Sequence, residues 1–383
     1  MGLDIASLEK ASATILELNG RLDGDTTASL STAIEAIDEG AIIIDMANCN
    51  YISSAGLRVF LITHQDFSRQ GRSLSLVNLS ALVYSVFEVS GFNQILNVTK
   101  SPRRISIHES ELISSGACGD CYRLDSETVV KLYREGVAVS VAEKEKRYSK
   151  AAFLMGLPTA ISYDVVVCGA RSGVVYEMID AELFSTIIRD NPENTEKHAQ
   201  LLSAIAKKVH SIRGDDSIFP SIKNQFQDYI DEMHAFLPRS DIEFLQERLR
   251  SIPESTNCVH FDLHSSNIMM RKGEPVIIDL GDFSVGSYLF DLGLIYMIYG
   301  LPDLGFCEMV TKIPSDQGVR LCESFIQSYF ADMTPEDYKY FYQNRFFLAS
   351  LRAIYTITFL PQMRSMMIEA VRDYLLPRMR ASY

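Results

Sequence analysis

The run His260-Phe-Asp262-Leu-His264-Ser-Ser-Asn267, followed by Ile278-Asp279-Leu-Gly281, brings a carboxylate, an amide and a second carboxylate into one stretch of chain. These are the groups a phosphoryl-transfer site needs. Transfer of a γ-phosphate asks a protein for little covalent chemistry; it asks for a held metal and a positioned hydroxyl. Asp262 is the candidate base, able to orient an attacking hydroxyl and take its proton. Asn267 and Asp279 offer hard oxygen ligands, which suit Mg²⁺. The residues between them read as strand, turn and strand with a Gly at the turn, and a hairpin there returns Asn267 to Asp279. His260 reads as a prop of the loop. His264 is either a loop residue or a contact to substrate.

Upstream residues could hold the nucleotide that such a reaction consumes. Gly116-Ala-Cys-Gly119-Asp-Cys-Tyr122 lies between strand signals. It is either an ordinary glycine turn or a loop whose backbone N–H groups cover phosphates. Lys131 sits inside the apolar run Val129-Val-Lys-Leu-Tyr, so its ammonium must reach water or an anion. It is either a strand-edge lysine or a ligand of the α/β-phosphates. A helix expected near 137–155 places Val141, Ala142, Glu145, Tyr148, Ser149 and Ala152 on one stripe, with Glu143 on the polar face. An acid on a buried stripe needs a partner, and Lys131 is the natural one. Val174 to Ile179 reads as a strand leading into a helical region, a hinge where Glu177 and Ile179 would hold adenine through backbone groups.

The elements that must position these groups fall into two sections. Residues 1 to about 107 alternate strand and helix: a strand at Ala13–Leu18, a helix capped around Asp25-Thr26-Thr27 and running to about Asp38, and a short buried strand at Ala41–Met46. A helix from about Ala55 to Arg69, a strand at Ser73–Val77 and a helix from about Ala81 follow. That alternation implies a small sheet with helices packed on it. Lys100-Ser-Pro-Arg-Arg104 reads as a short basic linker. From about 112 to 180 strands dominate, and from 181 onward the chain is mostly helical. A strand-rich lobe followed by a helix-rich lobe is the layout of a two-lobed kinase.

Composition excludes several alternatives. The net charge of −13 argues against nucleic acid, since phosphate backbones demand a basic surface. Seven cysteines spread along 383 residues form no disulfide framework, and the single Cys118-x-x-Cys121 has no second pair for zinc. The expected compartment is therefore a reducing cytoplasm. The first residues lack the basic and apolar regions of a secretory signal. No apolar run reaches membrane-spanning length, Asp291 breaking the best candidate, so no membrane partner is expected.

These motifs resemble known families. Residues from about 112 to 383 look like the aminoglycoside phosphotransferase/choline kinase family, on Lys131, Glu145, Gly156-Leu-Pro158, Tyr176-Glu177, the His260–Asn267 loop, Asp279 and Asp291. The resemblance implies an α+β kinase-like fold, ATP and Mg²⁺ as cofactors, Asp262 as catalytic base, and Asn267 with Asp279 as metal ligands. It makes Asp291 a structural brace of the catalytic loop. Two positions depart from the family pattern: Phe261 replaces a residue that is often small, and Asp279-Leu-Gly-Asp282 lacks the basic residue often found there. In the first section Gly20-Arg-Leu-Asp23, Thr26-Thr-Ala-Ser-Leu30 and Tyr51-Ile-Ser-Ser54-Ala-Gly-Leu resemble the STAS domain of anti-sigma-factor antagonists. In that family the residue matching Ser54 is a phosphorylation switch, although the Asp often preceding it is here Ser53. The alternative role for Ser53 or Ser54 is to cap the helix.

The expectation is thus a multidomain protein. An α/β STAS domain at 1–107 precedes a two-lobed kinase domain at 112–383, with its N-lobe at 112–180 and its C-lobe at 181–383. Its expected partners are a small-molecule hydroxyl acceptor and a protein at the STAS domain. Only 11 residues separate Asp279 from Asp291 and no A-P-E motif follows, which leaves little room to dock a peptide. Two alternatives stand beside this: a non-enzymatic signalling scaffold that senses nucleotide, and a kinase for a protein, its own Ser54 included.

Overall fold

The computed structural model describes residues 2–10, 13–116 and 118–382. The chain divides into two compact units, one ending at Arg104 and one beginning at Ile105.

The first unit runs β1 (Leu3–Lys10), β2 (Ala13–Leu22), α1 (Thr27–Glu35), β3 (Ala41–Ile52), α2 (Ser54–Arg69), β4 (Leu74–Leu79), α3 (Ala81–Val89) and β5 (Asn97–Lys100). Its sheet has the order β1-β2-β3-β4-β5. The β1–β2 pair is antiparallel and the other pairs are parallel, as helical crossovers require. In β3, Ile42, Ile44 and Met46 are fully buried while Ile43 and Asp45 are half-covered. The strand expected to be short and buried therefore runs to Ile52 and alternates. The core joins these residues to Leu30 and Ile34 of α1, Leu57, Phe60 and Phe67 of α2, and Val83 and Phe87 of α3. Helix α1 ends at Glu35, short of the expected Asp38, and the Thr26 hydroxyl donates back to the Arg21 carbonyl at 2.9 Å instead of capping.

In the second unit the strands Ser162–Cys168, Arg171–Glu177, Thr128–Tyr133, Gly119–Arg123 and Leu112–Ser115 lie side by side in that order, all antiparallel. One helix, α4 (Val139–Leu154), packs on them. The helical part comprises α5 (Phe184–Asp190), α6 (Thr195–His210), α7 (Ile222–Glu232), α8 (Arg239–Ser251), α9 (Leu289–Tyr299), α10 (Phe306–Thr311), α11 (Ser315–Phe330) and α12 (Pro335–Phe359), followed by further short helices. Helix α9 is apolar nearly all round and almost wholly buried, the signature of a core helix. Helix α12 packs along it. A Cβ at Gly293 would stand 2.5 Å from the Leu348 carbonyl, so only glycine permits this approach. Between α8 and α9 the strands Ile268–Arg271 and Glu274–Ile277 form the expected hairpin, with Lys272 and Gly273 at its turn, both at positive φ (54° and 88°). Two such residues make the turn whose twist matches a hairpin.

Candidate active site

Lys131 occupies the central strand of the sheet, opposite Val174. Its Nζ donates to both oxygens of Glu145 at 3.1 and 3.0 Å, and to Asp279 Oδ1 at 2.6 Å. Glu145 is 1% exposed. The stripe read from the sequence accounts for this, since Ala142, Glu145, Tyr148, Ser149 and Ala152 are the buried residues of α4. Two further hydroxyls reach this carboxylate: Tyr176 donates at 2.6 Å, and Tyr133 also donates. Burial and then the Glu145 charge push both phenols above their ordinary range, so both remain protonated donors. Tyr133 lies two residues from Lys131 and so shares its face of the strand, a period-two signal that could have found it.

The His260–Asn267 loop hangs from Asp291. This residue is fully buried, and its carboxylate accepts from the His260 N–H at 2.9 Å and the Phe261 N–H at 2.6 Å. His210 of α6 faces it, Nε2 standing 2.9 Å from Asp291 Oδ2, while the other ring nitrogen meets the Tyr329 hydroxyl at 2.8 Å. Phe261 adopts φ 61°, a left-handed conformation that costs a bulky residue about 1–3 kcal/mol. Its ring lies buried against Phe226, Phe290 and Tyr355. The departure from a small residue is thus absorbed by the core. His260 is buried; Nε2 donates to the Ile278 carbonyl at 3.1 Å and Nδ1 accepts from the Asp262 N–H at 3.2 Å. His264 is 6% exposed, and its Nε2 stands 3.2 Å from Asn267 Nδ2 and 3.7 Å from Asp262 Oδ1.

Asp262 sits at the end of this scaffold. Asn267 Nδ2 donates to its Oδ2 at 2.9 Å, and Arg352 donates to its Oδ1 at 2.7 Å. Burial alone would raise this carboxyl, but Arg352, with His264 and His260, outweighs it and holds the group well below the usual carboxylate range. Asp262 is therefore ionised. Arg352 also donates to Asp282 at 3.3 Å, and Tyr355 donates to the other Asp282 oxygen. The positive charge beside Asp282 thus comes from α12. No local signal in the sequence marks it.

The hairpin brings Asn267 and Asp279 together, the Ile278 N–H donating to the Asn267 carbonyl at 2.9 Å. Asp279 is at φ 63°. With Asn267 Nδ2 committed to Asp262, its Oδ1 and the Asp279 carboxylate are the oxygen ligands on offer. Among the described residues no group of three or more His, Cys, Asp or Glu side chains is placed to hold a metal ion. A pair of hard oxygens of this kind fits Mg²⁺, which keeps waters and takes one or two protein ligands alongside substrate phosphates.

At the glycine turn the Gly116 N–H donates to the Gly119 carbonyl at 2.8 Å, and Ala117 lies outside the described residues. A Cβ on Gly119 would meet the Leu132 carbonyl at 2.2 Å, so close strand pairing accounts for that glycine. The turn is braced by Arg134, which donates to the Gly116 carbonyl at 2.6 Å and to Asp120 at 3.1 Å. At the expected hinge the Glu177 N–H is taken by the Ile161 carbonyl at 3.0 Å, and its side chain pairs with Arg271 at 3.4 Å. Ile179 is buried with Ala160 and Val276 in a small apolar cluster beside Tyr176.

In the first unit Ser53 caps α2, its hydroxyl accepting from the Gly56 N–H at 3.4 Å. Ser54 is exposed on the first turn. The capping role therefore falls to Ser53 and leaves Ser54 without it.

A family model described as the STAS domain matches residues 4–105, and one described as the phosphotransferase enzyme family matches residues 109–330. Over 87 residues, 22% of this chain and 75% of the relative, the sequence is 34% identical to BtrV of Bordetella bronchiseptica, a protein assigned as an anti-sigma factor antagonist. Over 82 residues, 21% of this chain and 72% of the relative, it is 28% identical to the anti-sigma-B factor antagonist of Listeria monocytogenes. The ethanolamine kinase of Plasmodium vivax superposes with a TM-score of 0.50 and 16% identity, over 72% of this chain and 84% of that one, a likeness of fold. With a STAS domain ahead of it, the larger part of this chain belongs to the phosphotransferase enzyme family.

Proposed function

We propose that the protein transfers the γ-phosphate of ATP, with Mg²⁺, to a hydroxyl group of a small molecule. The observation that carries this reading is the meeting of three distant segments at one ammonium: Lys131 on its strand, Glu145 on α4 and Asp279 after the hairpin. Glu145 and the two tyrosine hydroxyls fix the lysine where it can pair with phosphate oxygens. Mg²⁺·ATP, when bound, supplies the phosphoryl group and the metal charge that neutralises it. Asn267 and Asp279 would hold that metal. Asp262 orients the acceptor hydroxyl and takes its proton, and Asp291 keeps the loop in place through the two N–H groups before it. The turn at Gly116 and Gly119 covers the site, and Glu177 and Ile179 flank the adenine end.

The N-terminal domain is read as a protein-docking module with Ser54 as its switch. Its hydroxyl is exposed at the start of a 16-residue helix, where a phosphate meets free N–H groups and the positive end of the dipole.

Calorimetry with a non-hydrolysable ATP analogue, with and without Mg²⁺, tests the first half. An ADP-release screen over small hydroxyl compounds, with the protein alone as one sample, tests the second. Mg²⁺-dependent binding and acceptor-dependent ADP release are expected. Binding without release under any acceptor would favour the scaffold reading, and phosphate recovered on the protein itself would favour the protein-kinase reading.

A further inference from the structure

The strained residue before the candidate base is held from both sides. Asp291 takes the Phe261 N–H, as described. The Phe261 carbonyl accepts from Arg352 Nη1 at 2.9 Å, and the same guanidinium reaches Asp262 Oδ1 at 2.7 Å and Asp282 Oδ2 at 3.3 Å. The side chain of Arg352 is 13% exposed and lies over the rings of Tyr355 and Phe261, at 4.8 and 5.2 Å. A planar fork of donors can make three such bonds in fixed directions; an ammonium cannot. Arg352 stands on α12, beyond the segment that matches the family model, which ends at residue 330.

We propose that Arg352 is a positioning residue of the transfer site. It closes the left-handed turn at Phe261 from the carbonyl side and fixes the orientation of Asp262 relative to Asp282, so helix α12 completes a site whose other parts lie in the family segment. The close approach of α12 to α9 at Gly293 supports this role, because α9 carries Asp291. Both clamps of Phe261 therefore come from one rigid helix pair. The proposal rests on the phosphotransferase reading for its catalytic meaning, and on geometry alone for its structural content.

Two readouts on the full-length protein test it. By amide hydrogen exchange, Arg352→Gln should speed exchange in the 260–263 segment about tenfold, the size expected from losing hydrogen bonds to a charged group, while α9 and α12 stay as in wild type. By kinetics, with the best acceptor of the screen, kcat should fall about tenfold or more while KM for ATP stays near wild type, since misplaced groups slow chemistry without loosening a distant nucleotide contact. Arg352→Lys keeps the charge without the fork and should restore part of both; it also serves as the test variant should Arg352→Gln fail to fold. Wild-type exchange in the loop, or exchange raised equally throughout α9 and α12, would overturn the proposal. A wild-type protein inactive with every acceptor would remove the phosphotransferase reading, and the exchange experiment would still decide whether Arg352 holds the loop.

Discussion

Replacing Glu145 by Ala should separate the ion pair that organises the sheet from the rest of the site. The carboxylate is almost wholly buried and receives Lys131, Tyr133 and Tyr176. Breaking a buried pair by removing one partner typically costs about 3–5 kcal/mol, because an uncompensated charge is left behind. Lys131 keeps Asp279 at 2.6 Å, which places the loss near the lower end. Two phenol donors also lose their acceptor, at about 1 kcal/mol each if water does not replace it. A net loss of about 3–5 kcal/mol, the upper figure applying if water does not replace the lost acceptor, should lower the melting temperature of a unit this size by about 6–20 °C. Glu145→Gln keeps one acceptor oxygen, trades the other for an amide donor and removes the charge, and should lose about half as much. Scanning calorimetry of the full chain reads the shift. Titration with Mg²⁺ and an ATP analogue should show weakened binding in both variants, since Lys131 is no longer held at the strand. A Glu145→Ala protein that melts within 1–2 °C of wild type, roughly the reach of a surface substitution, and binds the analogue equally would refute the reasoning.

Three further outcomes follow from the same geometry. Asp120 is held below the usual carboxylate range by the Ser115 hydroxyl first, then by Arg171 and Arg134 against the opposing effect of burial. Its contribution is present above the unfolded value, about 3.9, and is lost as pH falls through the folded one. The melting-temperature gap between wild type and Asp120→Asn should therefore be widest near neutrality and shrink toward pH 3. For Ser54, pull-downs should lose the protein partner with Ser54→Asp and retain it with Ser54→Ala, while Ser53→Ala alone lowers stability by about 1 kcal/mol as a lost cap; equal partner recovery from Ser54→Asp and wild type would discard the switch. Of the cysteines, Cys118 at the glycine turn is exposed, whereas Cys49, Cys258, Cys307 and Cys322 are buried, with burial pushing the Cys258 thiol up to about 12 and the Cys307 thiol up to about 11. Alkylation followed by mass spectrometry should mark Cys118 first, and Mg²⁺ with an ATP analogue should slow it; labelling of Cys118 indifferent to nucleotide would remove the turn from the site.

How much of this could be read from the sequence follows the range of each interaction. The His260–Asn267 loop and its hairpin are local: Asp262 and Asn267 precede, and Asp279 follows, one strand-turn-strand segment whose turn residues dictate its closure. The buried stripe of α4 is equally local, because a 3.6-residue period places Glu145 among apolar neighbours. Arg352 reaches Asp262 across 90 positions, from a helix whose own pattern gives no reason for an arginine there. His210 meets Asp291 across 81 positions in the same way. The glycine turn shows a different limit. Gly119 has a packing cause that a motif cannot reveal, since the neighbouring carbonyl belongs to a strand partner. Choosing Ser53 over Ser54 as the cap depended on a single backbone residue's conformation, Ser53 standing at ψ 173° just outside the helix. Strands β1 and β5 give little sequence signal, because their described side chains are largely half-covered or exposed.

The most direct test of the central claim is transfer itself. Full-length wild type and Asp262→Asn should be incubated with Mg²⁺ and ATP labelled at the γ-phosphate, against the hydroxyl compounds that release ADP in the screen. Label should appear on the acceptor with wild type. Asp262→Asn should bind nucleotide normally and transfer about 10² times more slowly or less, the usual size of a lost general base. Wild-type transfer rates from Asp262→Asn, with the label on the same acceptor, would contradict the assignment of Asp262 and the mechanism built on it.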